Sequence, residues 1–260
     1  MQIARHSSWL SRAFLVLAVL VAVSPARVAH AADTVQGQSR EATEEVIRDY
    51  LLKNPEVIEQ ALRILEERQR QAAREQSLKA VAAHREELLG DPGSPVGGNP
   101  RGSVTVVEFF DYRCPHCKHA APDVKKLAQE DSDVRIVYKQ LPVLGPESDL
   151  AARAALAAHA QGKHAALHEA LMAADGSLAL PVILRLAGPA GLDLTKLQAD
   201  IEAPEIRATI VRDRALAAAL GITGTPTFVV GSELVPGAVD LAALKALVSE
   251  ARAKAVPLSR

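Results

Sequence analysis

The chain has 260 residues, with 30 Lys and Arg against 31 Asp and Glu, and it is 48% hydrophobic but only 3% aromatic. A charge balance this near zero argues against nucleic acid as the main partner, since such proteins carry a basic surface. Two cysteines are too few for a secreted scaffold held by several spaced disulfides.

Residues 1–31 read as a secretory signal peptide. Arg5 and Arg12 give a basic start, Ala13 to Val23 is an unbroken apolar run, and Ala29-His30-Ala31 supplies a small-x-small cleavage site. The run is short for a membrane anchor, which needs about 20 apolar residues. Cleavage after Ala31 removes three arginines and the one tryptophan, Trp9, and leaves 27 basic against 31 acidic residues. No later segment is apolar over a membrane-spanning length.

Residues 32–89 form an N-terminal helical arm, strongly charged and free of glycine from about 41 to 89. The segment Glu44 to Lys53 carries Val46, Ile47, Tyr50 and Leu51. Asn54-Pro55-Glu56 then reads as a cap followed by a helix start. The helix that follows places Ile58, Leu62 and Leu65 on one stripe, and the same register continues through Gln69, Ala72 and Gln76. A narrow apolar stripe on a polar helix needs a partner, either the body of the same chain or another copy. The reading favoured is an oligomerisation stalk of coiled-coil type. Residues 90–102 are a Gly/Pro linker and mark the domain boundary; three prolines and five glycines between Gly90 and Ser103 predict no regular structure there.

Residues 103–256 alternate strand and helix, an α/β pattern. Val104 to Phe110 is apolar on both faces, as a central strand would be. A helix starts at about Pro115, and Val134 to Leu141 is the next strand. An Ala-rich helical stretch from about 147 to 218 is interrupted near Gly176, Gly188 to Gly191 and Pro204. Thr227 to Val230 and Glu233 to Val235 make a hairpin over Gly231-Ser232. Asp240 caps a last helix that runs to about Ala253.

Cys114-Pro115-His116-Cys117 carries the chemistry. A disulfide closing so short a loop removes little entropy from the unfolded chain, so redox use explains the pair better than stapling. Cys114 at a helix N-terminus meets free N–H groups and the positive end of the dipole, which favours its thiolate. Pro115 suits the first turn because it lacks an N–H. Cys117 lies one turn on, at disulfide-forming distance. The expectation is an exposed, attacking Cys114 and a less exposed, resolving Cys117, with His116 between them stabilising the Cys114 anion. A closed zinc site needs four ligands. His164 and His168, four apart, are the other candidates, and they read as a solvated helix face. Two thiolates alone would suit Cu(I), which prefers soft ligands. Glu108, in the run Val104-Thr105-Val106-Val107-Glu108-Phe109-Phe110, is expected to be buried with a raised pKa, placed to exchange a proton with Cys117. Thr225-Pro226 enters a strand through a proline, an unusual place for one.

Together these motifs resemble the thioredoxin superfamily in its DsbA-like branch. Glu108-Phe109-Phe110-Asp111-Tyr112-Arg113-Cys114-Pro115-His116-Cys117 is similar to the branch's strand and active-site signature, and Gly224-Thr225-Pro226-Thr227 to its cis-proline loop. The resemblance covers about residues 97 to 253. It implies a thioredoxin fold with a helical insertion, Cys114 as nucleophile, Cys117 as resolving cysteine, Glu108 as buried acid and Pro226 as a cis-proline facing the disulfide. It implies no cofactor beyond a redox-active Cys114–Cys117 disulfide. Asn54-Pro55-Glu56-Val57-Ile58 and Gly98-Asn99-Pro100 resemble a narrower group, the ScsC-like proteins of the suppressor of copper sensitivity type. Some of these are trimeric disulfide isomerases and others are monomers. That resemblance implies a periplasmic location, unfolded or misoxidised exported proteins as substrates, a membrane redox partner of DsbD or ScsB type, and a homotrimer. The Pro-His dipeptide is the one typical of the strong oxidase, so a monomeric disulfide oxidase and a Cu(I)-binding copper-tolerance protein stand as alternatives.

Overall fold

The computed structural model describes residues 26–255. Residues 1–25 of the expected signal peptide lie outside it. Two compact units divide the chain between Glu67 and Arg68.

The first unit is helical. Helix α1 (Ala26–Lys53) starts earlier than the apolar stripe alone predicts and runs through the expected cleavage site. Asn54 then breaks the helix, and α2 (Glu56–Ala83) begins. Asn54 does not cap α2 as expected. Its backbone N–H and its side-chain amide both donate to the carbonyl of Tyr50, at 2.9 and 2.8 Å. The amide thus completes the end of α1, where carbonyls are left without a helical donor. Val46, Ile47, Tyr50, Ile58, Leu62 and Leu65 are all exposed, so nothing in this unit covers the stripe.

The second unit holds the rest of α2, α3 (Arg85–Leu89) and a five-stranded sheet. Its strands are β1 (Val96–Gly98), β2 (Val104–Phe110), β3 (Val134–Gln140), β4 (Thr227–Val230) and β5 (Glu233–Pro236), in the order β1-β3-β2-β4-β5. β2 runs parallel to β3 and antiparallel to β4, with Glu108 opposite Tyr138 on one side and Phe228 on the other. The parallel pair requires a crossover, and α4 (Pro115–Glu130) provides it. β1 falls inside the expected linker and pairs antiparallel with β3. Glycine is what allows this. Gly98 has φ of +65°, and a side chain there would meet the Val134 carbonyl at 2.6 Å. The boundary expected at 90–102 is therefore not where the compact unit begins. Val81 of α2 and Leu88 of α3 are buried in its core against Val107 and Phe109.

Strand periodicity sends alternate β2 side chains to opposite faces. Val104 and Val106 pack with α4 and with α10 (Leu241–Ala255), through Val124, Leu127, Leu244 and Val248. Val107 and Phe109 pack on the other face with Leu216 and Leu220, which belong to or follow α9 (Pro204–Ala219). Asp240 caps α10 as predicted, accepting from the Ala243 N–H at 2.8 Å. The Ala-rich stretch is five helices: α5 (Pro146–Ala160), α6 (His164–Ala173), α7 (Leu180–Ala187), α8 (Leu194–Asp200) and α9. α5, α6 and α7 form one apolar cluster with Phe110, Tyr112, Cys114 and Cys117. The helical insertion is thus packed directly behind the cysteines.

A buried charge cluster ties α9 to β3. Lys139, 1% exposed, is ion-paired with Asp213 at 3.2 Å and with Asp91 at 3.4 Å. Asp213 also accepts from the Gln140 N–H at 2.8 Å. Burial pushes the Asp213 carboxyl up to about 6, although Lys139 and that N–H oppose it. Removing one member of a buried pair leaves the other charge uncompensated. Asp213→Ala is expected to lower the unfolding free energy by about 3 kcal/mol or more in urea titrations, whereas Lys139→Met combined with Asp213→Leu should lose far less.

Candidate active site at the Cys114 turn

β2 ends at Phe110, and the chain turns through Asp111-Tyr112-Arg113 into α4. Asp111 organises the turn. Its carbonyl accepts the Cys114 N–H at 3.1 Å, and its carboxylate accepts the Arg113 N–H at 2.7 Å. The other carboxylate oxygen accepts the N–H groups of Val143 and Leu144 at 2.8 and 3.0 Å, so the same side chain holds the loop after β3. Cys114 is the N-cap of α4, with φ −73° and ψ 118°, and Pro115 follows in the first turn. Pro115 and His116 are exposed.

The Thr225–Pro226 bond is cis. It lies against the cysteines, and the Cys114 thiol donates to the Thr225 carbonyl at 3.2 Å. Cys117 is fully buried and the two sulfurs are not bonded to each other in this structure. Cys114 is only 5% exposed, contrary to the open thiol expected. The Thr225 carbonyl lies over its sulfur, and its side chain belongs to the apolar cluster of the insertion. Burial pushes the Cys117 thiol well above the ordinary range, and negative charge on Cys114 or Glu108 pushes it further.

Glu108 points to the α4 face of the sheet, on the same side-chain period as Val106. It is 1% exposed, and its Oε1 has no hydrogen-bond partner among the described residues. Burial alone pushes its carboxyl up to about 8, so it holds a proton at neutral pH. The burial expected from its apolar neighbours in sequence is present.

His164 and His168 are not on a solvated face. They are 6% and 7% exposed, and with Phe110, Tyr112 and Tyr138 they make a box of rings behind the cysteines. The Tyr112 hydroxyl and His168 Nδ1 are 3.0 Å apart. Phe110 meets Tyr112 edge-on at 5.0 Å and His168 at 5.3 Å. Burial pushes His168 down to about 4; burial, and the neighbouring His168 and His159, push His164 well below its ordinary value. Both imidazoles are neutral at physiological pH. Sequence reasoning missed this box, because an Ala-rich helix offers no polar face to contrast with an apolar one. It also passed over Asp111, although Asp111 lies inside the quoted signature.

Cavities of about 530 Å³, lined by Tyr138, His164 and Met172 among others, and of about 320 Å³, beside Lys139 and Asp213, are lined by neither cysteine. Pro115 and His116 form the exposed part of the cysteine turn, while Cys114 and Cys117 are buried.

The chain is similar to known proteins in both of its units. A family profile described as a DSBA-like thioredoxin domain matches residues 105–249, and one described as the copper resistance protein ScsC N-terminal domain matches residues 40–72. A thioredoxin-like oxidoreductase from Silicibacter pomeroyi is 52% identical, covering 66% of this chain and 99% of that one, with a TM-score of 0.64. Proteus mirabilis ScsC in a transitional conformation is 30% identical over 84% of this chain and 99% of that one, with a TM-score of 0.63. The thiol:disulfide interchange protein DsbA of Pseudomonas aeruginosa is 31% identical over 54% of this chain and 69% of that protein. Curated relatives also include sodium/proton antiporters, such as NhaA 3 of Salinispora tropica at 35% identity, of whose length the matched region spans 25%.

The raised Glu108 pKa has a stability consequence. The carboxyl is protonated in the fold up to about pH 8 but ionises in the unfolded chain near its ordinary 4.5. The native state therefore binds the extra proton, and stability present below pH 4.5 is lost as pH rises towards 8. Glu108→Gln removes that loss. Compared with its effect at about pH 4, it should raise the unfolding free energy by up to about 4 kcal/mol at about pH 7.5, read from urea titrations at both pH values.

Proposed function

The chain belongs to the DsbA-like thioredoxin family and carries an N-terminal domain of the ScsC type, and from that premise we propose that it is an oligomeric disulfide isomerase acting on exported proteins in the periplasm. The thiol:disulfide oxidoreductase class follows from the family. The isomerase direction rests on one observation, the uncovered stripe Val46, Ile47, Tyr50, Ile58, Leu62 and Leu65. Exposed apolar residues at helical spacing are a surface for other copies of the same helix. Several copies would hold several Cys114 thiols near one substrate, raising the effective concentration of the second exchange step.

In this reading reduced Cys114 attacks one sulfur of a misplaced substrate disulfide. The substrate S–S bond breaks, a Cys114–substrate mixed disulfide forms, and the released substrate sulfur takes up a proton. A second substrate thiol then attacks the bonded substrate sulfur, forms the new disulfide and returns Cys114 as a thiol, so no net electrons are transferred. The helix N-terminus stabilises the anionic Cys114 sulfur, with His116 on the adjacent exposed turn. When a substrate stalls, Cys117 gives its proton to the ionised minority of Glu108, whose pKa is about 8, attacks the Cys114 sulfur of the mixed disulfide and releases the substrate sulfur, which takes up a proton. This leaves a Cys114–Cys117 disulfide, the only redox group required, which a membrane partner of DsbD or ScsB type would reduce. Pro226 and Thr225 present backbone beside the reacting sulfurs. The ScsC-type domain favours a second reading in which the same two thiolates bind Cu(I). Stoichiometric Cu(I) uptake by the reduced protein, lost in Cys114→Ser, would support it.

The full mature chain should be a trimer in solution-mass measurements and should refold scrambled ribonuclease. A chain lacking residues 32–67 should be monomeric and retain thiol oxidation, while its isomerase rate falls roughly tenfold or more. Deletion should stop at 67, since Val81 and Leu88 belong to the core of the catalytic unit. A monomeric full chain, or isomerase activity undiminished by the deletion, would overturn the oligomeric reading. Cys114→Ser should abolish both activities.

A further inference from the structure

A cavity of about 530 Å³ lies between α4 and α6, lined by neither cysteine, and the redox chemistry above makes no use of it. Its walls follow from helix period. On α6, His164, His168 and Met172 recur every four residues, and Ala165 and Ala173 stand one position further on. On α4, Lys118, Ala121, Lys125 and Ala128 form the opposing face. The alanine side chains on both helices are too short to meet across the gap, so packing leaves a space of the size that holds a small molecule. Tyr138 and the edge strand β1 complete the lining. Gly97 lets the two approach, since a side chain there would meet the Tyr138 ring at 3.0 Å.

The lining is chemically uneven. Tyr138, His164 and His168 stand against one another at centroid distances of 4.6 to 5.2 Å and tilts of 30° to 43°, which makes a platform of rings. One polar atom of that platform is unanswered. His164 is 6% exposed, and its Nε2 has no hydrogen-bond partner among the described residues. Buried polar atoms are nearly always satisfied, and the cavity that His164 lines is where a partner for this one can sit. A hydroxyl serves either tautomer of a neutral imidazole, because it both donates and accepts. The two lysines of the lining differ. Lys125 is ion-paired with Glu169, from α4 to α6, at 2.8 Å. Lys118 is half-buried and has no ion-pair partner among the described residues; its ammonium donates to the Ala174 carbonyl, which leaves two further donors. Burial pushes the Lys118 pKa down, although Asp175 opposes this, so a carboxylate beside it would restore stabilisation that the fold withholds.

We propose that the cavity between α4 and α6 binds a planar aromatic carboxylate that carries a hydroxyl at its far end, with His164 Nε2 meeting the hydroxyl, Lys118 the carboxylate and the ring platform the aromatic body. The burial of the two side chains sets the orientation. His164 is deep and Lys118 is nearer solvent, so the neutral end enters first and the charged end stays where water can reach it. The site takes its ligand without covering Cys114, since neither cysteine lines it.

The test titrates 6-hydroxy-2-naphthoate into the full mature protein and follows its fluorescence, with 2-naphthoate and 6-hydroxy-2-naphthamide measured alongside. The unaltered protein should bind 6-hydroxy-2-naphthoate with a Kd of about 100 μM or tighter. Each of the other compounds lacks one polar group and should bind roughly tenfold more weakly. Ala165→Phe puts a ring into the cavity from an exposed helix position, and it should abolish binding while leaving hydroxyethyl disulfide reduction unchanged. His164→Phe keeps a ring and should remove the difference between 6-hydroxy-2-naphthoate and 2-naphthoate. Lys118→Met should remove the difference between the acid and the amide. Absence of binding, binding that survives Ala165→Phe, or equal affinity for all three compounds would overturn the proposal. The comparison of the three compounds needs no variant, so it decides the matter even if His164→Phe does not fold.

Discussion

One carboxylate holds the catalytic unit's working end together. Asp111 follows the central strand and satisfies three backbone N–H groups, from Arg113, Val143 and Leu144. A buried carboxylate is tolerated only when such donors replace the water it has lost. Here the donors come from two segments far apart in sequence, so satisfying one charge also sets the active-site turn against the loop after β3. The start of α4, the orientation of Cys114 and the placement of Val143 and Leu144 all depend on that arrangement.

Around this clamp the protein concentrates groups that cost stability. Glu108 is buried on the central strand with one oxygen unpartnered, and two histidines are kept neutral within a box of aromatic rings. Burying such groups weakens a fold, and perturbed titration clusters where chemistry is done. Desolvation is what raises the Glu108 carboxyl to about 8, and the proton exchange proposed for it with Cys117 would need a carboxyl raised in that way. Lys139 and Asp213 are different. Their charges compensate each other, and they join α9 to β3 on the face away from the cysteines. One cluster lies beside the cysteines uncompensated, and the other is charge-compensated and holds the frame.

The arm and the catalytic unit use apolar surface in contrasting ways. In the catalytic unit alternate side chains of β2 are covered on both faces, while the arm leaves its stripe uncovered along α1 and the start of α2. A lone helix gains too little from its own backbone to justify such a stripe, so its value lies in association. The division between the units falls within α2, and the Gly/Pro segment following it is part of the sheet.

Much of this was legible in the residues alone. The strands Val104–Phe110 and Val134–Gln140, the hairpin from Thr227, the cap at Asp240 and the Cys-Pro-His-Cys turn are written in local signals, namely side-chain period, turn residues and caps. Glu108 could be read as buried because its neighbours in sequence are its neighbours on the strand. What tertiary structure decided lies wherever a residue's partner is distant. Gly97 and Gly98 form an edge strand because β3 is there to pair with them, which no count of glycines reveals. Asn54 serves the helix before it, and His164 and His168 are buried because α6 packs against Phe110, Tyr112 and Tyr138. Asp111 gained its role only when the chain after β3 returned to it. Sequence by itself determined the chemistry of the cysteine turn, since that chemistry needs only two thiols at a helix start. The fold decided what surrounds the turn, because burial and long-range hydrogen bonds are properties of segments brought together and not of any one of them.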